Sequence, residues 1–186
     1  ILAYEATLKV PLILYEPRLF DPRRVSEPAR HVDLLPTILD ALSLPVPEGL
    51  PGRSLLPLAA GEPALPTTSY FEALSGRLNR GWAPLTGVIR GGAKYIDLPI
   101  PELYDLQGDT QESRNLAGRS PQRLEQMRGL LAPLRSAERG IDRRPENAET
   151  QERLRSLGYV AGGAVPARER YTEADDPKRL IALDAL

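Results

Sequence analysis

One histidine, no cysteine and scattered carboxylates are the chemical means of this 186-residue chain. Without cysteine there is no thiolate nucleophile, no thiolate metal site and no disulfide framework. Three side chains are candidates for a binding rim: His31, Trp82 and Lys9. His31 stands at the expected start of a helix, where it either touches a ligand or orients the helix from a loop. The structural reading takes precedence, because neutral histidine is often structural. Lys9 offers a positive charge, but a lysine beside a strand more often packs its stem and keeps its ammonium wet. Trp82, in a loop between strands with Arg80 close by, can stack on a sugar or aromatic face or fill a core contact; the two readings are even. Glu5 reads as a partner for a backbone donor, and Asp105 and Asp109 as turn-formers. The Asp175–Asp176 pair falls in what reads as a linker, so no metal role is assigned to it. The charges from Arg135 to Arg155 read as a solvated face.

Those residues need elements to hold them. Val10–Tyr15 (V-P-L-I-L-Y) is a short, nearly continuous apolar run, the pattern of a strand buried on both faces of a mostly parallel sheet. Pro11 should sit near its start. His31–Leu42 follows helical spacing, with Asp33 as the expected N-cap, Pro36 in the first turn, and Leu34, Leu35, Ile38, Leu39 and Leu42 as the buried stripe. Pro51–Leu58 reads as a turn and an apolar hook. Beyond a Pro-rich connection the pattern becomes β: 68–73, 85–90, 94–98 and 102–106 read as strands of a small antiparallel sheet, with Gly91-Gly92 as a hairpin turn. Residues 121–137 read as a helix with Leu124, Met127, Leu131 and Leu134 on one face. Residues 142–149 read as loop, 151–157 as a short helix, 161–169 as linker, and Asp176 as the start of a further amphipathic helix.

Twenty-four basic against twenty-five acidic residues give a net charge of −1, which gives no reason to expect a nucleic-acid or anionic-membrane surface, and no nucleic-acid partner is expected. No apolar run reaches the ~20 residues that span a bilayer. Ile1 opens inside an apolar segment and Leu186 falls in a helix. Both ends are therefore expected to be cuts through structure, and the lack of a signal peptide says nothing about location.

The order of these segments resembles the sulfatase family of the alkaline-phosphatase superfamily. Tyr4–Ile13 (Y-E-A-T-L-K-V-P-L-I) looks like the start of a family strand, His31–Leu39 (H-V-D-L-L-P-T-I-L) like its helix, and Gly52–Leu58 (G-R-S-L-L-P-L) like the hook that follows. Lys94–Ile96 (K-Y-I) and Glu102–Leu116 (E-L-Y-D-L-Q-G-D-T-Q-E-S-R-N-L) look like the family's C-terminal segments. Each piece alone is unspecific; five in order at fitting spacings over most of Tyr4–Leu116 are not. Thr110 departs from the family's usual Pro, which loosens a turn, and Arg80-Gly81-Trp82 departs at the expected pocket rim. L-R-S-L-G-Y-V at Leu154–Val160, with the linker and helix after it, resembles a subgroup carrying tetratricopeptide repeats.

The resemblance implies an α/β fold: residues 1–62 as the end of an alkaline-phosphatase-like doubly wound sheet domain, 63–140 as a small antiparallel-sheet-and-helix subdomain, and 141–186 as a helical extension. It implies sulfate-ester hydrolysis by a formylglycine nucleophile with a divalent cation, Ca²⁺ or Mg²⁺, in a full-length parent. Formylglycine is made in a C/S-x-P-x-R string, which this sequence lacks; Ser120-Pro121-Gln122-Arg123 has its proline one place early. The nucleophile and metal ligands are expected before Ile1, and the chain alone is expected to be inactive. In that reading Lys9 would meet sulfate. The implied partner is a sulfate-ester small molecule or glycan, with a protein partner on the helical extension, and the implied location is periplasmic, membrane-attached or secreted. Two alternatives stand beside it. One is a phosphodiesterase, phosphonate hydrolase or phosphoethanolamine-type transferase of the same superfamily; the other is a non-catalytic tetratricopeptide-type interaction protein.

Overall fold

The computed structural model describes residues 2–63, 65–136, 153, 168 and 170–182. Its contacts divide the chain into two units, 1–8 with 70–186, and 9–69. The first eight residues thus group with the sheet rather than with the segment that follows them. The expected divisions fell at 62/63 and 140/141.

The first unit is built on four strands: β1 (Ser69–Ala73), β2 (Leu85–Arg90), β3 (Ala93–Asp97) and β4 (Glu102–Asp105), in the order β1-β2-β3-β4. β2 and β3 pair antiparallel, Val88 opposite Tyr95 and Arg90 opposite Ala93. The connection is the expected Gly91-Gly92 turn, and both glycines hold positive φ, 56° and 77°, which suits a two-residue hairpin. β3 and β4 pair antiparallel with Lys94 opposite Tyr104 and Ile96 opposite Glu102.

Side-chain alternation divides this sheet into two buried faces. Val88, Ala93, Tyr95 and Leu103 pack on one face against Met127 and Leu131 of a helix at Pro121–Ser136. Leu85, Ile96 and Tyr104 pack on the other against Ala3 and Ala83, with Leu2, Tyr4, Leu8, Phe71 and Tyr171 partly buried around them. Because both faces are covered, β2 and β3 are almost continuously buried, and the K-Y-I and E-L-Y triplets send alternate residues into different clusters. β4 is an edge strand. Asn115 blunts it: its Oδ1 accepts the Leu103 amide at 3.0 Å, and the Leu116 amide donates to the Leu103 carbonyl at 2.8 Å.

Among the described residues the helices are, in chain order, α1 (Glu5–Leu8), α2 (Leu34–Ala41), α3 (Leu56–Ala60), α4 (Ser75–Arg80), α5 (Pro121–Ser136) and α6 (Pro177–Leu180). Several expectations are overturned here. Glu5–Leu8 is a helical turn, not the start of a strand. Val10–Tyr15 forms no strand, and its side chains stand out, Ile13 84% and Tyr15 87% exposed. A strand needs ladder partners, and among the described residues this run is no member of a sheet. Asp33 does occupy the N-cap position of α2, but its backbone is helical (φ −81°, ψ −14°), at the end of a 3-10 turn, His31–Asp33, and its side chain makes no cap bond. The buried face of α2 is Pro36 and Thr37, whereas Leu35, Ile38 and Leu42 are exposed. The expected loop 142–149, helix 151–157 and linker 161–169, together with Leu154–Val160, lie outside the described residues apart from Arg153 and Arg168.

Candidate functional site

The residues that carried the family resemblance meet one another through buried polar contacts. Alternation along β3 puts Lys94 on the same face as Ile96, and register places it opposite Tyr104. Its side chain is 0% exposed. Its ammonium lies 3.3 Å from Glu5 Oε1 and 2.7 Å from Glu112 Oε1. Glu112 Oε1 has no partner of hydrogen-bond geometry, so the second approach is an ion contact by distance. The Phe71 ring centroid is 5.4 Å from Nζ and that of Tyr4 is 6.0 Å away, within cation–π range. Glu112 Oε2 accepts the Glu5 amide at 2.6 Å, so Glu5 contributes both its donor and its carboxylate. Glu112 reaches this position from a left-handed backbone, φ 52°, which a non-glycine residue adopts only when its surroundings hold it there.

A second cluster adjoins the first. Tyr4 Oη donates to Glu102, at 3.2 Å from Oε1. Tyr4 and Tyr104 meet edge-on, ring centroids 6.3 Å apart. Burial first, and the Glu102 carboxylate second, push the Tyr4 phenol up to about 12. Tyr104 is pushed up by the same two causes in the same order. On the other face, burial and then the bond to Asp97 push Tyr95 up to about 12, while Arg128 pulls the other way.

The second unit repeats the pattern. Asp33, 1% exposed, accepts the Arg30 guanidinium at 2.6 Å, the Arg30 amide at 2.9 Å and the Arg53 amide at 3.0 Å. Burial alone would raise its pKa. The Arg30 guanidinium and the two amides outweigh burial and hold the carboxyl below the ordinary carboxylate range. Thr37 Oγ1 donates to the Asp33 carbonyl at 2.6 Å and accepts the Leu55 amide at 2.9 Å. The helix is therefore fastened to the hook, which turns Pro36 and Thr37 inward and leaves Leu35 and Ile38 out. Gly52 permits this closeness: a Cβ there would stand 1.8 Å from the Val32 carbonyl oxygen.

These clusters position backbone and exclude water; they do not present a reactive group. Lys94 is ion-paired with two carboxylates and fully buried, so no substrate atom reaches it. Asp109 accepts the amides of Ser113 and Arg114 and the Ser113 hydroxyl, the work of a turn-former. Among the described residues no group of three or more His, Asp or Glu side chains is placed to hold a metal ion. A divalent cation does not fit these residues, and with no C/S-x-P-x-R string neither does formylglycine. A shallow cleft of about 430 Å³ beside α5 is lined by Arg90, Ala93, Arg123, Gln126, Met127 and Leu130. It contains no acid and none of the rim candidates.

His31 is exposed at the first position of the 3-10 turn, and Lys9 is exposed at the start of the second unit. Trp82 belongs to the first unit and follows Gly81, the C-cap of α4. It is 8% exposed, its ring lies against Gly76, and the Arg80 guanidinium carbon stands 5.7 Å from the ring centroid. Sequence reasoning passed over Lys94, Glu102 and Glu112, and it placed Asp176 at the start of a helix, which it caps, without finding its buried contacts. The signal for Lys94, Glu102 and Glu112 was there, since all three lie inside the quoted motifs. Asp176 lies in no linker; it is fully buried.

The family model described as N-sulphoglucosamine sulphohydrolase, C-terminal, matches residues 1–136. Arylsulfatase K of Xenopus laevis is 26% identical over 138 residues, 67% of this chain and 25% of the relative. Arylsulfatase K of Homo sapiens is 31% identical over 135 residues, 64% of this chain and 24% of the relative. Among solved structures, a protein determined in complex with its substrate D-glucosamine-2-N,6-O-disulfate is 24% identical with a TM-score of 0.48, over 56% of this chain and 23% of that one. The chain thus spans about a quarter of the length of the curated relatives it matches.

Proposed function

Since the chain belongs to the N-sulphoglucosamine sulphohydrolase C-terminal family, we propose that it is the C-terminal portion of an enzyme that hydrolyses sulfate esters, with a sulfated sugar as the substrate class. The observation that carries this is the family match over residues 1–136. The polar contacts support it, because residues from the quoted motifs meet each other in space: Tyr4 and Glu5 with Lys94, Glu102 and Glu112, and Asp33 and Thr37 with Arg53 and Leu55.

In this reading the parent enzyme uses a formylglycine nucleophile and a divalent cation, the nucleophile and the metal ligands being residues that precede Ile1. This chain completes the fold and part of the substrate rim. His31 and Lys9 remain the exposed rim candidates, while the burial of Trp82 favours its packing role. Residues 1–62 would be the end of the large α/β domain, 63–140 the small subdomain and 141–186 an extension. The parent would act in the periplasm, at a membrane or outside the cell.

The test is to translate the encoding DNA in frame upstream of Ile1. A C/S-x-P-x-R string after an Asp-rich strand end is the expected result. An unmodified Thr or Ser in its place beside intact metal carboxylates would move the reaction to phosphate or phosphonate chemistry. An unrelated domain there would remove the enzyme reading.

A further inference from the structure

The family match ends at residue 136, yet residues 171–180 return to the sheet unit and dock beside Ala83 and Ile100–Glu102. Tyr171 packs against the cluster of Ala3, Leu85, Ile96 and Tyr104. The Asp175 carbonyl accepts the Ala83 amide at 2.9 Å. Asp176 is 0% exposed and divides its carboxylate between two donors: Oδ2 accepts the Ile100 amide at 2.9 Å and Oδ1 the Lys178 amide at 3.0 Å, which caps α6. Lys178 Nζ then donates to the Ile100 carbonyl at 2.6 Å and pairs with Glu102 Oε1 at 3.3 Å. Ile100 is thereby held through both its backbone groups, and Glu102, which accepts Tyr4, gains its cation from this segment.

A linker would leave such groups to water. Burying a carboxylate with no exposed surface is tolerated only when donors meet it, and here two amides do. Beside them, Lys178 Nζ stands 3.5 Å from Oδ2. We propose that residues 171–180 are an intramolecular clasp, a strap that closes over Ala83 and Ile100–Glu102 and fixes the Tyr4–Glu102 cluster from outside the family core. Its docking is set by Asp176 as the buried hook and Lys178 as the bridge. Released, the strap would leave the Ala83 and Ile100 amides and the Glu102 carboxylate facing solvent.

Amide hydrogen exchange on the whole chain, resolved by residue, tests this. In the unaltered protein the Ala83 and Ile100 amides should be protected. In Asp176→Ala both should exchange faster by about tenfold or more, the expected consequence of losing a charge-assisted bond, while the β2–β3 ladder keeps its protection. Unprotected Ala83 and Ile100 amides in the starting protein, or rates unchanged by the substitution, would overturn the clasp. Should Asp176→Ala expose the whole sheet, Lys178→Met decides, because it leaves the buried carboxylate and its cap in place. Faster exchange confined to Ala83 and Ile100 would support the strap, and an unchanged pattern would refute it.

Discussion

At the scale of residues, the distinctive side chains of this protein are fasteners. Lys94 is the clearest case, a fully buried cation between two carboxylates. Removing one partner of such a cluster leaves the others buried and uncompensated. Lys94→Met should therefore destabilise the first unit by about 3–5 kcal/mol, read as a shift of the denaturant midpoint. Adding Glu112→Gln should restore part of that loss, because the orphaned charge goes with it. The tyrosines give a test with a sign. Tyr4 and Tyr95 have folded values of about 12, and the phenol of Tyr104 is raised as well. A phenol whose folded pKa is raised contributes stability that is complete below its unfolded value of about 10 and disappears as pH climbs through the folded value. Ultraviolet titration should show these tyrosines ionising late and together with unfolding near pH 12. Asp33 works in the opposite direction. Its lowered pKa contributes stability above the ordinary carboxylate range, lost as pH falls through the folded value. Asp33→Asn should therefore lower stability at neutral pH and flatten the acid limb of the stability profile.

At the scale of elements, local signals were read well and partner-dependent ones were not. The hairpin from Leu85 to Asp97 was legible because strand alternation and Gly91-Gly92 are local facts. α5 was legible for the same reason, with Met127 and Leu131 inward on the expected face. The Val10–Tyr15 run was misread because an apolar run becomes a strand only beside another strand, which its own residues do not specify. The face of α2 was misread because Thr37 and Asp33 fasten it to residues 53–55, and those bonds outweigh the leucine spacing. As for the site, the motifs named Glu5 and Lys94, but nothing in the sequence shows that the Glu5 amide meets a carboxylate 107 residues away. One substitution probes the helix–hook joint directly. Gly52→Ala places a Cβ within 1.8 Å of the Val32 carbonyl oxygen. It should cost about 1–3 kcal/mol, measured as a lower midpoint for the second unit with the tyrosine titration of the first unchanged.

At the scale of the whole molecule, the second unit leaves many of its large apolar side chains exposed. Val10, Ile13, Tyr15, Ile38 and Leu42 are all exposed. Residues 1–186 alone should therefore bind a hydrophobic dye and self-associate as concentration rises, both visible by fluorescence and light scattering. The same surface agrees with a chain that completes a larger enzyme, as does the quarter of their length that it shares with its relatives. The central claim is that this is the C-terminal portion of a sulfate-ester hydrolase whose reactive groups lie elsewhere. The most direct measurement is the release of inorganic sulfate from an aryl sulfate and from a sulfated glucosamine. It would compare residues 1–186 with the product of the complete reading frame. Sulfate released by the complete product and none by residues 1–186 is the predicted result. Turnover by residues 1–186 alone, or a folded complete product that releases no sulfate from either substrate, would contradict it.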